Sequence, residues 1–233
     1  DVDDVGTEHL FDMKYKCFPL GLMETVKGLI RQYAEHYEKK VNLRIVDHRN
    51  SRLMEYRSGR MPQRLFTDKI FRDYQKEAIP VFMEKKNGIL SIGTGGGKTF
   101  LAAELMRQCD ARTLWIIDRK ELLDQTRDVL KGLFGPDIRV GTVMGKDREL
   151  DSDIVMATVQ TLKNMASPKN IDEYREWFSS FNMVVVDEFH KSAAESYRTV
   201  FARLINLKYR LGLTATAFRD DGKEPILFSQ LGN

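Results

Sequence analysis

Gly88-Ile89-Leu90-Ser91-Ile92 runs directly into Gly93-Thr94-Gly95-Gly96-Gly97-Lys98-Thr99, and a helix-like stretch from Thr99 to Arg107 follows. A short apolar run, a glycine cluster and a helix start make a strand–loop–helix unit. Glycines let the backbone curl until successive N–H groups converge, and a helix N-terminus adds a field that favours anions. Lys98 adds an ammonium and Thr99 a hydroxyl at the offset a phosphate loop requires. The pattern predicts Thr94 to Thr99 around a nucleoside triphosphate, with Lys98 on the β- and γ-phosphates and Thr99 on Mg²⁺. The strict pattern wants a glycine where this chain has Ile92.

Working outward, short apolar runs alternate with helix-like segments. The runs are 113–117, 138–143, 153–157, 183–186 and 209–213; the helix-like segments are 99–107, 120–133 and 193–204. Strands alternating with helices predict an α/β fold, a parallel sheet covered on both faces. The part before residue 65 reads differently. A helix is expected from Gly21 to about Lys39, with Leu22, Val26, Leu29, Ile30 and Tyr33 on one face. A strand-like Val41 to Val46 follows, and then a polar, Arg-rich stretch with Arg44, Arg49, Arg52, Arg57, Arg60 and Arg64. We expect a small α+β accessory domain and basic linker at 1–64, and the α/β domain at 65–233.

The composition excludes several classes. Apolar residues make up 42%, ordinary for a folded chain, so wholesale disorder is out. The net charge of +3 is too small to identify a partner by itself. The longest apolar runs are strand-sized, far short of a bilayer span. The start, Asp1-Val2-Asp3-Asp4, has no signal-peptide pattern; it is not Met, which suggests a processed or excised fragment. Cys17 and Cys109 are the only cysteines, so a reducing compartment is expected: cytoplasm, nucleoid or nucleus. The four histidines show no metal-ligand spacing.

A second chemical signal is Met183-Val184-Val185-Val186-Asp187-Glu188-Phe189-His190, a buried-type strand ending in two carboxylates and an imidazole. Charges at the carboxyl end of a parallel strand face the crevice where α/β proteins bind ligands. Asp187 is placed to hold Mg²⁺ through its water shell, and Glu188 to orient and deprotonate an attacking water. His190 joins them as a candidate catalytic group beside Lys98, Asp187 and Glu188.

Taken with Gly93 to Thr99, this element resembles the DEAD/DEAH-type superfamily 2 helicases. Other elements fall in the family's order. Phe71-Arg72-Asp73-Tyr74-Gln75 resembles the upstream element whose Gln reads the adenine edge, which gives Gln75 that role with Arg72 assisting. Ile117 to Gln125 resembles a strand-to-helix element that touches the nucleic-acid backbone, with Arg119 and Lys120 as its contacts. Ala157 to Leu162 resembles another, with Thr158 and Thr161. Leu213-Thr214-Ala215-Thr216 resembles the element coupling ATP state to strand movement through Thr214 and Thr216. The resemblance implies a first RecA-like motor domain, ATP and Mg²⁺ as cofactors, and nucleic acid as partner.

Phe18-Pro19-Leu20-Gly21-Leu22 and the helix after it are similar to the small domain preceding the motor in UvsW-like and XPB-like helicases, which favours DNA over RNA. Phe189, Asp118-Arg119 and Gly93 depart from the common pattern and leave the subfamily open. The resemblance places a further catalytic Arg in a second RecA-like domain, for which there is no sequence after Asn233. The expectation is an ATP-dependent helicase or translocase whose ATP-binding half, alone, turns over slowly. Two alternatives use the same motifs: the motor subunit of a restriction system, and a nucleotide-gated clamp without turnover.

Overall fold

The computed structural model describes residues 23–40, 59–145, 147–187 and 194–215. An amino-terminal helix, α1 (Met23–His36), shows the expected periodicity, and Tyr33 and Tyr37 pack ring to ring on it at 4.5 Å. The expected strand at 41–46, the Arg-rich stretch through Arg57 and the segment Phe18 to Leu22 lie outside the described residues.

The rest is an α/β body. Its strands are β1 (Asn87–Ser91), β2 (Thr113–Ile117), β3 (Val140–Met144), β4 (Asp147–Arg148), β5 (Ile154–Thr158), β6 (Met183–Val186) and β7 (Tyr209–Thr214). They form one sheet in the order β1-β7-β6-β2-β5-β3-β4. Every pairing is parallel except β3 with β4, where a two-residue strand folds back over the sheet edge. Its helices are α2 (Asp73–Lys85), α3 (Lys98–Cys109), α4 (Lys120–Phe134), α5 (Val159–Met165), α6 (Ile171–Ser179) and α7 (Ala194–Phe201).

Two cores explain the unbroken apolar runs. Successive side chains of a strand point to opposite faces, so a strand covered on both faces needs apolar residues at every position. Trp115, Ile117, Met156, Val185, Leu211 and Leu213 pack on one face against Phe82 of α2, the apolar side of α3, and Leu123 and Leu130 of α4. Leu114, Ile116, Val155, Ala157, Val184 and Val186 pack on the other face against Leu162, Phe178, Tyr197 and Val200. Each fully buried Leu, Ile or Val contributes roughly 1.5–3 kcal/mol. The edge strand β1 departs from this rule: Ile89 and Leu90 each reach a core but remain half-buried. Helices α5 and α6 were not expected from the sequence, yet Ile171, Tyr174 and Phe178 recur at helical spacing.

The segment 59–66 is laced to the amino-terminal edge of the sheet. The Gly59 and Met61 N–H groups both donate to the Asp110 carboxylate. Arg60 Nη1 donates to buried Asp153 Oδ1 at 3.1 Å, so this member of the Arg-rich stretch is tied to the sheet edge although its side chain remains half exposed. Arg107 Nη1 donates to the Gln63 carbonyl at 2.8 Å, and the Phe66 N–H to the Leu133 carbonyl at 2.8 Å. Beside this lacing, the Glu104 carboxyl lies below its usual range. Burial alone would raise it, but hydrogen bonds from Arg107 and Gln108, with the charge of Arg107, outweigh that. Among the described residues no helix is long and apolar enough to cross a membrane.

Candidate functional site

Parallel strands share one carboxyl edge, and the strand order decides which loops meet there. Strand β7 lies between β1 and β6. Ser91 is opposite Thr214, and the Ile92 N–H donates to the Thr214 carbonyl at 3.0 Å, so the glycine loop begins where β7 ends. Gly212 pairs with Ile89 on one side and Val186 on the other, which sets Asp187 level with Leu90. The Asp187 N–H donates to the Ile116 carbonyl at 2.9 Å, fixing the carboxyl end of β6 against β2. Two strand spacings, roughly 10 Å, separate the backbones of β1 and β6 at this edge. Lys98 and Thr99 open α3, both half-buried; Asp187 is half-buried, and Thr214 is buried between the two arms. Glu188, His190 and Thr216 lie outside the described residues.

The loop itself is turned by glycine. Gly95 and Gly97 take φ of +75° and +82°, a region that side chains with a Cβ rarely adopt. Gly97 is also the N-cap of α3, and the Gly96 N–H donates to the Gly93 carbonyl at 3.0 Å to close the turn. A Cβ on Gly96 would collide with Cγ2 of Ile92 and come within 2.9 Å of the Gly93 oxygen. This accounts for the departure from the strict pattern: the bulk at 92 is accommodated because 96 carries no side chain. Thr94 and Gly95 are exposed at the tip.

The first turn of α2 sits directly against the loop. Gln75 is 2% exposed. Its Oε1 accepts from the Arg72 N–H at 2.9 Å, while its Nε2 donates to the Gly96 and Gly97 carbonyls at 3.3 and 3.4 Å. Here the Gln75 amide braces the phosphate loop. Arg72 is exposed, and its guanidinium donates to the Tyr74 hydroxyl at 3.3 Å. The Tyr74 hydroxyl in turn donates to the Gly96 carbonyl. Tyr74 was not singled out by sequence reasoning; its signal was its place beside Gln75 in Phe71 to Gln75.

The expected backbone-contacting residues occupy the other half of the same edge, beyond β6. Arg119 is the extended N-cap of α4 and Lys120 its first residue; both are exposed. No side chain caps α4, so its first N–H groups and these two cations share one end. Thr158 ends β5 and caps α5. Its Oγ1 accepts from the Thr161 N–H at 3.4 Å and lies 2.9 Å from Thr161 Oγ1. Two hydroxyls sharing one hydrogen bond retain a second proton that can be donated to a phosphate oxygen. Phe71 stacks on Phe100 at 4.3 Å, and Phe66 lies over Gly135; both are packing contacts. A cleft of about 600 Å³ lined by Phe66, Lys131, Gly135, Ile138 and Arg139 opens at the amino-terminal edge and shares no residue with the glycine loop.

Comparison with known proteins adds four matches. The family model described as type III restriction enzyme, res subunit, matches residues 68–219. The chain is 32% identical over 167 residues to the DNA 3'-5' translocase XPB2 of Sulfurisphaera tokodaii, covering 71% of this chain and 35% of that protein. It is 34% identical over 156 residues to the putative ATP-dependent helicase IRC3 of Saccharomyces cerevisiae, covering 59% of this chain and 21% of that protein. In fold it is similar to the crystal structure of the UvsW helicase from bacteriophage T4, with a TM-score of 0.70 at 22% identity over 97% of this chain and 80% of that one. The chain therefore spans about a third or less of the length of these two curated relatives.

Proposed function

The chain belongs to the family described as type III restriction enzyme, res subunit, and carries the first motor domain of a superfamily 2 helicase; from that premise we propose that the protein is an ATP-dependent helicase or translocase acting on DNA. The observation that carries this is the carboxyl edge of the sheet. A glycine loop with Lys98 and Thr99, the end of β7 at Thr214 and the end of β6 at Asp187 lie side by side, held in register by backbone hydrogen bonds.

In this reading ATP docks on Thr94 to Thr99, with Lys98 on its β- and γ-phosphates. Thr99 and Asp187 would hold Mg²⁺, which would supply positive charge to neutralise that developing on the transferred phosphoryl group. Glu188 orients the attacking water, and His190 completes the acidic cluster. Thr214 and Thr216 relay the state of the γ-phosphate towards the strand-binding half of the edge. There Arg119, Lys120, Thr158 and Thr161 contact backbone phosphates rather than bases, which predicts weak sequence preference and strong salt dependence. An Arg from a second motor domain completes the phosphoryl-transfer site. Residues 1–64 act as a small accessory unit and 65–233 as the motor domain. The XPB2 relative, a DNA translocase by name, supports DNA over RNA.

The test is ATP hydrolysis by the full-length protein with single-stranded, duplex and branched DNA set against RNA. DNA should stimulate turnover most, and Lys98→Ala should lower the stimulated rate by at least about a hundredfold, the scale of removing one transition-state charge contact. Equal rates in the parent and Lys98→Ala would refute the assignment of the loop. Duplex translocation coupled to cleavage would favour the restriction-motor reading within the same family.

A further inference from the structure

We propose that Tyr74 is a positioning residue for the phosphate loop: its hydroxyl fixes the orientation of the Gly96–Gly97 peptide, so that the Gly97 N–H is presented to phosphate whatever base the ligand carries. This rests on the nucleotide reading above.

The argument begins with the peptide plane. In a trans peptide the C=O of one residue and the N–H of the next point in opposite directions, and no cis peptide occurs among the described residues. The Gly96 carbonyl faces α2, where it accepts from the Tyr74 hydroxyl and from Gln75 Nε2. A carbonyl oxygen has two lone pairs, and here each has a donor. The Gly97 N–H therefore points away from α2. The neighbouring Gly96 N–H cannot serve a ligand, because it is turned back onto the Gly93 carbonyl.

Glycine on both sides makes this peptide easy to flip. The next carbonyl along, that of Gly97, is already fixed by the first helical bond from the Leu101 N–H at 3.0 Å. The Gly96 carbonyl has no helical partner and depends on the two side chains of α2. A flipped peptide would forfeit both hydrogen bonds and turn a carbonyl oxygen towards phosphate oxygens. The phenol is well placed to hold it, since its oxygen accepts from Arg72 while its proton goes to Gly96. A Cβ at 96 would stand at ordinary contact distance from the hydroxyl, 3.5 Å, and would clash instead with Ile92.

The experiment measures binding of ATP, GTP and inorganic tripolyphosphate, each with Mg²⁺, to the full chain as parent, Tyr74→Phe and Lys98→Ala. Tyr74 is 40% exposed, so the phenylalanine variant should melt at the parent's temperature. Loss of one hydrogen bond should weaken all three ligands by a common factor of roughly three to ten. Equal affinities in the parent and Tyr74→Phe would overturn the proposal, and so would a loss confined to ATP, which would place Tyr74 at the base. A parent that binds no ligand, or Lys98→Ala binding as tightly as the parent, would instead overturn the nucleotide reading and the proposal with it.

Discussion

The two edges of the sheet carry similar chemistry and use it in opposite ways. At the amino-terminal edge, charged groups are consumed by the protein. Asp153, with its side chain 4% exposed, takes Arg60 at 3.1 Å and the Arg139 N–H at 3.0 Å. Buried Arg112 donates to the Ser152 and Leu150 carbonyls and the Ser180 hydroxyl, and stacks over Phe181. At the carboxyl-terminal edge, side chains of α2 hold two carbonyl groups of the glycine loop, and Arg119 and Lys120 stand exposed. Charge alone therefore does not mark a site. What separates the edges is how deeply their charged groups lie: Asp153 and Arg112 are buried, whereas Arg119 and Lys120 face solvent.

The comparison can be broken most decisively at Asp153. Asp153→Ala leaves Arg60 and the Arg139 N–H without their buried acceptor, and should cost about 2–4 kcal/mol of stability. Urea unfolding measures that loss, while nucleotide affinity of the folded protein should stay at the parent level. A fall in affinity without loss of stability would erase the division between the edges.

The complementary change is Gly96→Ala. The new methyl meets Ile92, an overpacking that costs typically about 1–3 kcal/mol, and here it should fall on nucleotide binding because the loop must deform. Ile92→Ala in the same chain should restore the part of the affinity lost to Ile92, leaving the part that the 2.9 Å approach to the Gly93 oxygen costs. If the double variant binds no better than Gly96→Ala, the Ile92 contact is not the cause.

The smallest effect concerns Cys109, at the far end of α3. Burial pushes its thiol up to about 12, against about 8.5 for an exposed thiol. The fold favours the neutral form, so the thiol's contribution is fully present below about pH 8.5 and is lost as pH rises from there towards 12. The difference in urea midpoint between the parent and Cys109→Ala should therefore shrink from pH 8 to pH 10.5. An unchanged difference would mean that the thiol ionises as easily folded as unfolded.

Much of the site was legible before any coordinates. Gly95, Gly97, Lys98 and Asp187 announce themselves because phosphate chemistry needs those residue types in that order. The unbroken runs at 113–117 and 183–186 declare a two-sided sheet through local pattern alone. The strand order was not legible, since nothing near β7 in sequence says that it pairs between β1 and β6. Arg60 read as one member of a basic stretch open to phosphate or solvent; its ion pair with buried Asp153 was not legible, because that partner is 93 residues away. The role of Tyr74 was hidden for the same reason: its acceptor, the Gly96 carbonyl, is 22 residues further on.

Helix α3 joins the two edges. Its 12 residues span about 18 Å from Lys98 to Cys109, and Phe100 to Met106 are buried along its length. Its first turn belongs to the glycine loop, and the residue that follows its last turn, Asp110, grips the strap at Gly59 and Met61. One helix therefore ties the glycine loop to the point where the amino-terminal segment is tethered.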